Sequence, residues 1–88
     1  MDFAIIAFSS STAANRLKKL ALERNFYGVT IQQTPRALSQ NGCSYSIRCP
    51  ISTLTGLLGL ADSYGVTHGY VYRESVDAAG RTFYQRMS

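Results

Sequence analysis

Two thiols, Cys43 and Cys49, are the residues in this 88-residue chain best suited to covalent chemistry. A thiolate is a soft nucleophile that accepts and releases sulfur atoms, and its reactivity follows its pKa. The two cysteines sit in different settings. Cys43 follows Gly42 in a polar stretch that also holds Pro35 and Arg36. A guanidinium nearby favours the thiolate, and Gly42 leaves the backbone open to a ligand or partner. The Cys43 pKa is therefore expected below the ordinary value of about 8.5. The alternative is an ordinary loop cysteine; burial on the Leu38 side of the loop would raise its pKa instead. Cys49 ends an alternating run and reads as a small buried hydrophobe. Six residues of extended chain set the two sulfurs roughly 20 Å apart. A disulfide needs Cα atoms within about 7 Å, so no internal bridge is expected.

Other chemistry is poorly represented. Two cysteines and one histidine, His68, lack zinc-ligand spacing. There is no Gly-rich phosphate loop and no carboxylate pair, so the residues imply no cofactor and no conventional catalyst. His68 reads as a surface residue, with a Cys43–His68 contact the weaker reading. The net charge is +4, and no acidic residue falls between Arg24 and Ala61, where Arg24, Arg36 and Arg48 lie. That stretch favours anions, or is simply a mildly basic surface.

Length sets the frame for these residues. The chain fits one small domain, with a core of about 3–75 and a C-terminal hairpin of about 76–88. With 45% hydrophobic residues it reads as globular. No apolar run approaches a membrane span, the apolar start has no basic leader, and two unpaired thiols suit the reducing cytoplasm.

The patterning predicts a first strand at 3–8 and a helix at 12–25 capped within Ser9-Ser10-Ser11-Thr12. Strands follow at 28–33 and 44–49, the second placing Tyr45, Ile47 and Cys49 on one face. The residues between them form a loop with a short helical turn around Arg36-Ala37-Leu38. A second helix starts at Ser52 or Thr53, and Gly56 and Gly59 in it allow close packing on the sheet. A fourth strand spans 68–75, and Asp77-Ala78-Ala79-Gly80 turns into an edge strand at 81–86. This β-α-β-β-α-β order predicts an α+β, ferredoxin-like sandwich: an antiparallel sheet in the order 4-1-3-2 with both helices on one face. In that topology Ser10, Ser11 and Thr12, at a helix N-terminus, come to the same sheet edge as Arg36, Gly42 and Cys43.

The strand followed by Ser9-Ser10-Ser11-Thr12-Ala13-Ala14, then Thr34-Pro35-Arg36-Ala37-Leu38-Ser39 and Cys43, resembles the selenium/sulfur carrier-like family of small bacterial proteins. The resemblance covers about residues 3–75, and Pro-Arg-x-x-Ser running into a cysteine loop is its most specific part. It implies that Cys43 carries sulfur or selenium as a persulfide or selenosulfide. Arg36 and Ser39 would shape the loop, and donor and acceptor proteins would be the partners. In the family pattern glycine follows the cysteine; here Gly42 precedes it.

Two further readings compete. A regulatory or binding module would use the positive edge for an anion or a partner's acidic tail, or the edge strand for a homodimer, with Cys43 incidental. A single-stranded nucleic-acid binder would stack bases on Tyr70 and Tyr72, but the third strand lacks the Gly-aromatic signature of that class.

Overall fold

The structure, a computed structural model, describes residues 2–41 and 44–87, and for 39–41 the backbone alone. Cys43 and Gly42, central to the reading above, lie outside the described residues. The elements are β1 (Phe3–Phe8), α1 (Ser11–Glu23), β2 (Thr30–Gln33), a 3₁₀ turn (Arg36–Asn41) and β3 (Tyr45–Pro50). A short 3₁₀ turn (Ile51–Thr53), α2 (Leu54–Ser63), β4 (Val71–Val76) and β5 (Thr82–Arg86) follow. The strands form one antiparallel sheet in the order β2-β3-β1-β4-β5. No helix among the described residues is long and apolar enough to cross a membrane.

Strand alternation divides β1 between two cores. Ala4, Ile6 and Phe8 meet Ala14, Leu17 and Ala21 of α1, and Leu54, Leu57, Leu60 and Ala61 of α2. Ile47, Cys49 and Val71 complete this helix-side core. Burying each large aliphatic side chain contributes about 1.5–3 kcal/mol, so this layer dominates stability. Ile5 and Ala7 point to the opposite face and join a smaller cluster with Leu38 and Tyr72.

Local chemistry sets the ends. Ser10 adopts extended backbone and its Oγ accepts from the N–H groups of Thr12 and Ala13, at 3.2 and 3.4 Å, so α1 begins one residue before the expected Thr12. After α1, Asn25 and Gly28 take left-handed backbone, at φ 60° and 73°. A Cβ on Gly28 would lie 2.9 Å from Pro50 Cδ, so the chain needs glycine there for two reasons. That conformation delays β2 to Thr30 rather than residue 28. In the same way β4 begins at Val71 rather than 68, although Gly69 and Tyr70 already exchange main-chain bonds with Ala7.

Two expectations for α2 are corrected. Neither Ser52 nor Thr53 caps it; Thr53 already has helical backbone and makes no side-chain cap bond, because the 3₁₀ turn Ile51–Thr53 leads straight into the helix. Its glycines do not pack on the sheet: Gly56 faces the Phe26 ring, and Gly59 faces open space. The final hairpin forms as expected. Asp77 Oδ1 accepts from the N–H groups of Ala79 and Arg81, and Gly80 takes φ 81°.

Candidate functional site

The loop predicted to carry the chemistry leaves β2 and enters β3 at one end of the sheet. Gln33 and Phe8 both pair with Tyr45 in register, so the ends of β1 and β2 and the start of β3 coincide there. The Thr34 N–H donates to Ser44 O at 3.1 Å and extends the β2–β3 ladder by one step. Ser44 is the covalent neighbour of Cys43, so this bond is the closest described anchor of the cysteine.

From Pro35 the chain turns onto the sheet face opposite the helices. The Leu38 N–H bonds to Pro35 O at 2.8 Å, and the Leu38 side chain is buried against Ile5, Ala7 and Tyr72. What the sequence allowed as a short turn around Arg36 is a 3₁₀ turn running to Asn41. Ser39 lies within that turn, and Arg36, exposed, opens it.

Ser10, Ser11 and Thr12 reach the same end of the sheet on the other face. The groove beside Ser10 and Thr12, about 270 Å³, is completed by Arg16 and the 65–67 segment, not by residues 34–38. Two of the N–H groups at the helix start are already taken by Ser10 Oγ. Among the described residues, then, Ser10–Thr12 begin the helix-side layer, whereas Leu38, two residues after Arg36, packs on the opposite face. His68 is near that end as well, edge-on to Phe8 at 6.4 Å, with Nδ1 2.7 Å from Gly69 O.

The open face holds features that the sequence reading missed. Ser46 Oγ and Thr34 Oγ1 are both buried and make no hydrogen bond among the described residues. Ser46 pairs with Ala7 and Gln32 in register, next to the cluster that Leu38 covers. By alternation Thr34 shares that face with Gln32. Further along, Arg48 bonds Glu74 across β1, at 2.9 and 3.1 Å, and lies 3.6 Å over the Phe3 ring. Burial, and after it the Glu74 carboxylate, push the Tyr84 hydroxyl pKa up. A serine on the polar phase of a strand gives no hint that it will be wholly buried.

Cys49 lies in the helix-side core opposite Ala4, fully buried, and burial pushes its thiol up to about 11. At neutral pH it is held as the neutral thiol, out of reach of solvent. No group of His, Cys, Asp and Glu among the described residues has the arrangement of a metal site.

No curated protein and no solved structure matches the chain. A family model does, over residues 3–73, a span that holds the whole helix-side core and the loop from Thr34 to Ser44. By that match the chain belongs to the family described as Putative Se/S carrier protein-like.

Proposed function

We propose that this protein carries a sulfur or selenium atom on Cys43, as a persulfide or selenosulfide, between a donor and an acceptor protein. The observation that carries the reading is the family match, which spans Arg36, Ser39, Gly42 and Cys43. The other thiol supports it: Cys49 is buried in the core and its pKa is raised, which leaves Cys43 for exchange. In the loading step the Cys43 thiolate attacks the terminal sulfur of a donor persulfide. A new S–S bond forms on Cys43, the donor S–S bond breaks, and the donor leaves as a thiolate. The electrons balance without an external oxidant, and a donor selenosulfide reacts in the same way at selenium.

The remaining site residues take roles consistent with this chemistry. Arg36 and Ser39 shape the loop. Thr34 and Ser46 offer hydroxyls beneath it that have no partner among the described residues, suited to an anionic sulfur. Ser10, Ser11, Thr12 and Gly42 border the surface on which a donor docks. We read the scaffold as a ferredoxin-like sandwich, because the order β4-β1-β3-β2 lies within the sheet, with β5 added at one edge.

The test is loading by a low-molecular-weight persulfide, followed by mass spectrometry of the intact protein and its peptides. A gain of one sulfur atom on the Cys43 peptide is expected, retained in Cys49→Ala and lost in Cys43→Ser. Failure to load, or loading confined to Cys49, removes the carrier reading and leaves a binding module in which Cys43 is incidental.

A further inference from the structure

The β4–β5 hairpin runs past the end of the family match and makes β5 one border of the sheet. The direction of its main-chain groups follows from two bonds. The Asp77 N–H donates to Arg81 O at 2.9 Å, and the Met87 N–H donates to Val71 O at 2.7 Å. Hydrogen-bonded and non-bonded pairs alternate along an antiparallel ladder. Residues 81, 83, 85 and 87 therefore bond to β4. The N–H and C=O groups of Thr82, Tyr84 and Arg86 point away from the sheet along its border.

An uncovered strand border is a template for another strand, and soluble proteins usually guard it with charge. Here the side chains that would guard it fold back over their own sheet. Tyr84 packs against the open-face cluster, opposite Glu74 in register, and the Arg86 guanidinium lies 4.7 Å over the Tyr70 ring. On the helix side, β5 contributes nothing to the buried core, and Phe83 stands 53% exposed. The opposite border is different. The β2 strand has only four residues, and its one large apolar side chain, Ile31, is already packed against the core.

We propose that β5 pairs antiparallel with β5 of a second copy about a two-fold axis at Tyr84, so that one sheet runs through both molecules. The register is self-complementary, as a two-fold interface requires. Tyr84 faces Tyr84 of the second copy, and Thr82 faces Arg86 of the second copy, so no two arginines stand opposite. All three outward-facing residues form hydrogen-bonded pairs in this register. The two Phe83 rings become diagonal neighbours at about 7–8 Å, within reach of aromatic side chains. They fill the space beside the helices that each copy leaves open.

Sedimentation velocity on the full chain tests this, from about 10 μM to about 1 mM, the range of weak homodimers. A species of twice the 9.7 kDa chain mass is expected at the upper end. Thr82→Pro removes an outward N–H and leaves the bonds to β4 intact, so it should keep the far-UV spectrum and weaken association at least about tenfold. Phe83→Lys, at an exposed position, should do the same and serves alone if the proline variant fails to fold. Tyr84→Cys in a Cys43→Ser background places two Cα atoms about 5.5 Å apart, within disulfide range, and should cross-link under mild oxidation. A monomer throughout the range overturns the proposal. So does a dimer unaffected by Phe83→Lys, or one that Tyr84→Cys does not link.

Discussion

Ser46 carries a hydroxyl that is fully buried and unpartnered among the described residues. Leaving such a group unsatisfied costs about 1–3 kcal/mol, so alanine at this position should fold at least as well. If the hydroxyl instead serves the sulfur on Cys43, Ser46→Ala separates stability from function. The expected result is a denaturation midpoint unchanged or raised, with a persulfide that decays several-fold faster after loading. A variant that loses stability and keeps the persulfide lifetime would assign Ser46 to packing alone. Cys49 gives a second measurement at this scale. Its folded pKa, about 11, stands above the ordinary value, so the folded state holds the thiol proton more tightly. The stability this represents is fully present below about pH 8.5 and is lost as pH rises toward 11, on the order of 2–3 kcal/mol in all. Denaturant unfolding at pH 8 and pH 10.5 should show a larger drop for the native sequence than for Cys49→Ala. Equal drops would mean that the thiol ionises as freely in the folded chain as in the unfolded one.

Among the elements, the 3₁₀ turn Arg36–Asn41 matters most to the site, and its Leu38 side chain packs against the sheet. Leu38→Ala removes that packing and should cost about 2–4 kcal/mol, the range for a buried leucine. Heating or denaturant would measure it, and a loss below about 0.5 kcal/mol, the ordinary surface value, would show that the turn is held by other contacts. Gly28→Ala tests the entry to β2. A left-handed φ of 73° and a Cβ position 2.9 Å from Pro50 Cδ make a loss of at least about 1 kcal/mol the expected outcome. The elements differ in how plainly the residues announce them. α1 is legible because Ser10 and the Ala14, Leu17, Ala21 spacing agree; β3 is legible because Ile47 and Cys49 alternate with Ser46 and Arg48. The turn around Arg36-Ala37-Leu38 is legible as a turn, but its length to Asn41 and its placement are not, since one leucine has no period and nothing local says which face of the sheet it will cover. The same gap hid which face the turn would cover: that depends on where Leu38 finds a partner, and it finds Ile5, Ala7 and Tyr72 on the face away from α1. The 3₁₀ turn before α2 was equally hidden, because Ser52 and Thr53 look like caps whether or not they bond.

At the scale of the molecule, the helix-side core lies wholly within the family match, whereas one residue of the open-face cluster lies past it. Every residue of the helix-side core, from Ala4 to Val71, lies within the matched span 3–73. The open-face cluster does not: Ile5, Ala7, Leu38 and Tyr72 lie inside it, and Tyr84, packed against them, lies beyond. β5 therefore closes the face that holds the turn and leaves the helix layer untouched. A chain ending at Val76 should keep its helical far-UV signal, because nothing from β5 supports α1 or α2. It should lose stability through the missing β4 ladder, the Tyr84 packing and the Arg86–Tyr70 contact, together on the order of 2 kcal/mol. For a domain of this size that is a large share of the total, since a small chain buries little surface in reserve. The truncated protein should therefore melt at lower temperature but still cooperatively, monitored by circular dichroism. If it is unfolded outright, the helix-side core is not sufficient by itself, and β5 belongs to the folding unit rather than to an added border. If it folds and loads sulfur on Cys43 as the full chain does, the matched span alone supports the carrier chemistry, and the hairpin serves stability and assembly.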